Sequence, residues 1–115
     1  MNSLVLHLAG PGQAPFPDLA TALRIAANAL AELPGTEVEI VVQGPSVTRL
    51  AAPAEDSARI TELLGTGRVA ISACANSLRS AGVEASELAP GVRDVPAAIA
   101  QLARRQGEGA AYVRI

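Results

Sequence analysis

The chain contains no lysine and no tryptophan, and it has one residue each of cysteine, histidine, phenylalanine and tyrosine. With all nine basic residues arginine, neither a Schiff-base lysine nor a P-loop lysine is available. The single cysteine, Cys74, makes no internal disulfide, and no Cys/His cluster has zinc-ligand spacing, so no metal site is expected. A net charge of −2 with so few aromatic rings lacks both the basic footprint and the stacking platform of a nucleic-acid binder. No glycine set forms G-x-G-x-x-G after a strand, and no cofactor motif replaces it. Paired carboxylates at a site-like spacing are also missing, which leaves hydrolase chemistry without support. The five-residue apolar run Leu4 to Leu8 has no basic residues before it and no cleavage site after it. It reads as neither signal peptide nor membrane span, and a reducing cytoplasm is the expected compartment.

What is present is apolar. Half the residues are hydrophobic and 17% are charged, against roughly 25% charged in an average domain. A chain of 115 residues is long enough for one domain over residues 1–115 with its own core. The apolar surplus beyond that core predicts a homo-oligomer that buries it between subunits.

Along the chain, Leu4 to Leu8 predicts a strand covered on both faces. A Gly/Pro loop follows, and Pro17 and Asp18 open a helix, the proline in its first turn. Leu19, Ala22, Leu23, Ala26, Leu30 and Leu33 line one face of that helix, and Pro34-Gly35 stops it. A second strand spans Val38 to Val42 and ends at Gln43-Gly44-Pro45, after which Ser46 is placed to cap a short helix through Leu50. A helix is predicted from about Pro53 to Leu64, then a strand from Val69 to Ile71, then a helix over Ala75 to Ala81 ending at Gly82. Gly91 to Val95 forms a short strand. Pro96 begins a last helix with Ile99, Leu102 and Ala103 facing inward, and Ala111 to Ile115 is a terminal strand. Alternating strands and helices predict an α/β fold with a mostly parallel sheet and helices on both faces.

Cys74 therefore falls near a junction where a strand ends and a helix begins. Ligands collect at the carboxyl ends of strands in open α/β sheets. A helix N-terminus favours thiolate by about 1 kcal/mol, which leaves the pKa at or slightly below the ordinary thiol value of about 8.5.

An ordered set of segments resembles the DsrE/DsrF-like family: Val38-Glu39-Ile40-Val41-Val42-Gln43-Gly44-Pro45, Ala73-Cys74-Ala75-Asn76-Ser77-Leu78, Leu88-Ala89-Pro90-Gly91-Val92, and Gln106 to Arg114. The likeness covers nearly the whole chain and is nearest to the stand-alone branch with Cys-x-Asn after the third strand. It implies a three-layer α/β/α fold of flavodoxin-like architecture with a five-stranded, mainly parallel sheet. It also implies a trimer or hexamer, and a sulfur-relay role in which the motif cysteine, here Cys74, carries sulfane sulfur as a persulfide to a partner thiol. The tRNA-thiolation subunits carry a different sequence around their cysteine, so that pathway is not implied.

Each candidate also has a plain structural reading. Cys74 is alternatively a small buried hydrophobe. Asn76 and Ser77 supply donors to the sulfur or cap the helix. His7 is a base at the end of the first strand or a packed strand residue. Gly44 and Pro45 form a pocket rim or only a turn. Asn28 reads as a polar subunit contact or a solvated helix position, and Arg104, Arg105 and Glu108 as an anion site or a helix end. The alternative function is a non-catalytic homo-oligomeric module that binds a small molecule or protein and keeps its cysteine structural.

Overall fold

A computed structural model describes residues 2–115. Its sheet has five strands, all parallel, in the order β4-β3-β2-β1-β5. The strands are β1 (Ser3–Leu8), β2 (Glu37–Val42), β3 (Val69–Cys74), β4 (Arg93–Val95) and β5 (Ala111–Arg114). The helices are α1 (Leu19–Glu32), α2 (Ser57–Leu64), α3 (Ala75–Ala81) and α4 (Ala98–Gly107), with 3-10 turns at Gly44–Leu50 and Ala85–Glu87.

Strand register arranges the side chains in rows. Leu6, Ile40 and Ile71 stand side by side, as do Leu8, Val42 and Ala73, and these rows pack on Leu19, Leu23 and Ile60 of α1 and α2. The alternate residues point to the other face, where Val5, Val41 and Cys74 pack with Ala98, Leu102 and Ala110. Right-handed crossovers explain the division. The chain steps in one direction from β1 to β4, which puts α1, α2 and α3 on one side. It then returns past the whole sheet to β5, which puts α4 on the opposite side. The three-layer arrangement is therefore uneven, with one helix on the second face.

Several boundaries differ from the sequence-based expectation. Pro17 precedes the helix instead of entering its first turn, because Asp18 is the N-cap and accepts from the Thr21 N–H at 2.9 Å. Helix α2 starts at Ser57 because the Ala54 N–H is taken by the Ser57 hydroxyl at 2.9 Å, holding Pro53 to Asp56 in a turn. Ser46 caps nothing. It lies inside the 3-10 turn, buried, with its hydroxyl unpartnered. Strand β3 runs on through Ser72 and Ala73 to Cys74, since small residues fit the crowded strip between layers. In α4 the inward residues are Ala98, Gln101, Leu102 and Arg105, while Ile99 and Ala103 face out. The cause is Glu39, a carboxylate 3% exposed in the middle of the sheet. It accepts from Ser72 Oγ at 2.6 Å, Gln101 Nε2 at 2.9 Å and Arg105 Nε at 3.0 Å, and lies 3.6 Å from Arg93. A buried carboxylate needs such partners, and they set the rotation of the helix above it.

Candidate functional site

The carboxyl ends of β3 and β4 lie side by side, with Cys74 paired to Val95. From β3 the chain turns to α3 on one face, and from β4 it turns to α4 on the other. This is the topological switch point of the sheet, where divergent loops leave a crevice. Cys74 occupies its wall. The residue is both the last of β3 and the N-cap of α3.

A cleft of about 550 Å³ opens at this point, lined by Gln43, Gly44, Pro45, Cys74, Asn76, Ser77 and residues at the start of α4. That volume is within the ~300–1,000 Å³ range of small-molecule sites. Among the described residues its lining carries no ionisable group other than the thiol.

Cys74 is 3% exposed. Burial pushes its pKa up, but the Ser77 N–H and hydroxyl, then the Ala98 N–H and the Asn76 N–H, outweigh that and hold the thiol below its ordinary value. None of them closes a conventional capping hydrogen bond; they act as dipoles aimed at the sulfur from the starts of α3 and α4.

The structure brings Cys74, Asn76, Ser77, Gly44 and Pro45 to one cleft. Neither Asn76 nor Ser77 caps α3, a correction to the capping expectation, because Cys74 holds the cap position. Ser77 Oγ instead accepts from the Gly44 N–H at 2.8 Å, tying the 3-10 turn to α3. Asn76 Oδ1 accepts from Arg79 on the helix surface. Gly44 has φ +79°, and a Cβ there would meet the Ala9 carbonyl oxygen at 3.2 Å, so the turn requires glycine. His7 is buried two strands away from Cys74 and does not line the cleft. It reaches the cleft through Gln43, whose Oε1 is 2.8 Å from His7 Nε2. Asn28 is exposed on α1. Arg105 pairs with Glu39 and Glu108, and Arg104 donates to Gln101, so both arginines are engaged within the chain.

Sequence reasoning missed several lining residues, among them Thr48, Ser80, Ala98 and Ile99, and Gln43 is the one that stands next to the thiol at the end of the neighbouring strand. Val42 pairs with Ala73, so the next residues, Gln43 and Cys74, stand beside each other at the ends of neighbouring strands. Pairing Val41-Val42-Gln43 with Ser72-Ala73-Cys74 was the available signal, but it needs β2 and β3 to be known neighbours.

A model of the DsrE/DsrF-like family matches residues 3–115. The chain belongs to that family. The family is associated with sulfur relay in general. Among solved structures, the chain is similar to a protein of unknown function, MTH1491, from Methanobacterium thermoautotrophicum, with 30% identity, full coverage of both chains and a TM-score of 0.84. The ychN protein from E. coli shares the fold at 16% identity, again over both whole chains, with a TM-score of 0.81. No curated protein matches the chain significantly. The five-stranded α/β architecture implied by the family resemblance is thus the architecture found. Among the described residues no helix is long and apolar enough to cross a membrane.

Proposed function

We propose that this member of the DsrE/DsrF-like family relays sulfane sulfur as a persulfide on Cys74. The supporting observation is the thiol's position at the switch-point crevice, with N–H dipoles from α3 and α4 and the Ser77 hydroxyl directed at it. In loading, the Cys74 thiolate attacks the outer sulfur of a donor persulfide, the S–S bond of the donor breaks, and the donor leaves as a thiolate that takes a proton from solvent. In discharge, an acceptor thiolate attacks the outer sulfur on Cys74, and the Cys74 thiolate is the leaving group. Both steps are exchanges at constant oxidation state and need no other reagent. The dipoles around Sγ favour the thiolate at the start of loading and at the end of discharge.

The site residues in this reading are Cys74 as the sulfur carrier and Ser77 and Asn76 as donors to it. Gly44 and Pro45 form the rim. Incubation with a low-molecular-weight persulfide should add one sulfur atom by intact mass, removable by dithiothreitol, and Cys74→Ser should abolish the adduct. A native protein that takes up no sulfur while its thiol reacts with alkylating reagents overturns the reading.

The thiol's 3% exposure favours a second reading, a binding module whose cleft holds a ligand while Cys74 is structural. Thiol titration separates the two: reaction only after denaturation supports the module. In either case we propose a homo-oligomer, a trimer or hexamer as the family resemblance implies, and the large apolar side chains left on the surface support association. Phe16, Leu33, Ile99, Tyr112 and Val113 are all more than a third exposed. Light scattering that finds a monomer at micromolar concentration removes this part.

A further inference from the structure

A persulfide carries its charge on the outer sulfur, roughly 2 Å beyond Sγ. The groups aimed at Sγ do not serve that atom, and among the described residues none in the lining is cationic. The outer sulfur needs its own donor in the cleft. Asn76, Thr48 and Ser80 also line the cleft but are exposed, with Asn76 turned toward Arg79 on the helix surface and the Thr48 hydroxyl donating to the Pro45 carbonyl at 2.9 Å. Gln43 differs from these in having its orientation fixed from the buried side.

Its backbone is anchored by an N–H donated to the Leu8 carbonyl at 2.9 Å. Its Oε1 lies 2.8 Å from His7 Nε2, and His7 Nδ1 lies 2.7 Å from the Tyr112 hydroxyl. A buried imidazole must satisfy both nitrogens. When the Tyr112 O–H donates to Nδ1, the ring proton sits on Nε2 and requires an acceptor, which only the oxygen of the carboxamide provides. The amide nitrogen then faces away from His7, and Gln43 lines the cleft beside Cys74. Residues abreast on neighbouring strands are about 4.8 Å apart, within reach of a sulfur extended from Sγ.

We propose that Gln43 donates a hydrogen bond from Nε2 to the outer sulfur of the Cys74 persulfide, and that His7 and Tyr112 are positioning residues that hold its carboxamide in that orientation. This inference rests on the persulfide reading. It gives the cleft a neutral, directional donor for sulfane sulfur, and it gives the buried histidine a role other than that of a base.

The test equilibrates the full chain with an alkyl persulfide and its thiol at set ratios and reads the loaded fraction by intact mass. Gln43→Leu should lower the exchange equilibrium constant about tenfold, the scale of one hydrogen bond to a charged group. Gln43→Glu should lower it further, since a carboxylate held by His7 faces the same anion. Tyr112→Phe should produce a smaller fall in the same direction by releasing the tautomer. The alkylation rate of the unloaded thiol should stay within about twofold in Gln43→Leu and Tyr112→Phe, because the carboxamide acts on the outer sulfur and not on Sγ, whereas Gln43→Glu should slow it as well, its carboxylate facing the thiolate. If Gln43→Leu fails to fold, Gln43→Met keeps the length and removes both amide atoms. Unchanged loading in the leucine or methionine variant overturns the assignment, as does a fall in either matched by an equal loss of alkylation rate. A wild-type chain that takes up no sulfur overturns the persulfide reading itself and this inference with it.

Discussion

The face of the sheet under α1 and α2 meets its helices through apolar side chains alone, Leu6, Ile40 and Ile71 against Leu19, Leu23 and Ile60. The face under α4 carries Glu39, Ser72 and Cys74 beneath Ala98, Gln101, Leu102 and Arg105. Both faces come from the same strands by simple alternation, so one sheet separates cohesion from chemistry. On the first face every side chain can be replaced by another of similar volume with modest effect. On the second, hydrogen bonds specify which residue stands where. The lone α4 layer also leaves the switch point open at its end, where the cleft forms.

Substitutions that break this comparison should do so in opposite ways. Cys74→Ser removes all sulfur uptake, measured by mass, and leaves the denaturation midpoint nearly unchanged, since serine fits the same volume at the end of a strand. Ile40→Ala, on the opposite face of the sheet and fully buried, should cost about 2–5 kcal/mol in chemical denaturation. The alkylation rate of Cys74 in its folded fraction should not change. Equal loss of stability in both variants would mean that the two faces are not separable.

A smaller effect sharpens the same contrast. Glu39→Gln keeps the shape of the carboxylate but leaves Arg105 and Arg93 without their buried counter-charge. The expected loss is about 1–3 kcal/mol, below that of Ile40→Ala because both guanidinium groups reach solvent. Arg105→Met together with Glu39→Met should recover part of it, since a buried ion pair replaced by apolar side chains is often neutral, while Ser72 Oγ and Gln101 Nε2 lose their acceptor. Failure of the double variant to recover would show that α4 needs this network for its placement and not only for its stability.

The same asymmetry decides what could be read from the chain alone. Leu4 to Leu8 and Val38 to Val42 are apolar on nearly every residue, and such runs announce strands covered on both sides, so the layered fold was legible. The strand-to-helix junction at Cys74 was legible too, from β-branched residues giving way to small ones and then to a stop at Gly82. The phase of α4 was not. Ile99 and Ala103 obey the apolar periodicity yet face out, because the residue that turns the helix is Glu39, sixty positions earlier. Gln43 was missed for a related reason. Its neighbours His7 and Cys74 lie in other strands, and a carboxamide just before Gly-Pro reads only as part of a turn.

The smallest predicted effect concerns the thiol itself. Ser77→Ala removes one of the donors that hold the Cys74 pKa below the ordinary thiol range, while the N–H groups of Ser77, Ala98 and Asn76 remain. The midpoint of the alkylation rate against pH should therefore rise, by less than about one unit. The sign for stability follows from linkage. An acid whose folded pKa is depressed stabilises the fold fully above its unfolded value, near 8.5 for a thiol, and loses that contribution as pH falls through the folded value. Stability of the wild type should thus gain on Cys74→Ser as pH rises through that window, and Ser77→Ala should narrow it. The Gly44 N–H also loses its acceptor, but it lies at the cleft and can turn to water, so the turn should hold. An unchanged alkylation midpoint in Ser77→Ala would assign the lowered pKa to the backbone of α3 and α4 alone, and would leave Ser77 as a tie between the 3-10 turn and the helix.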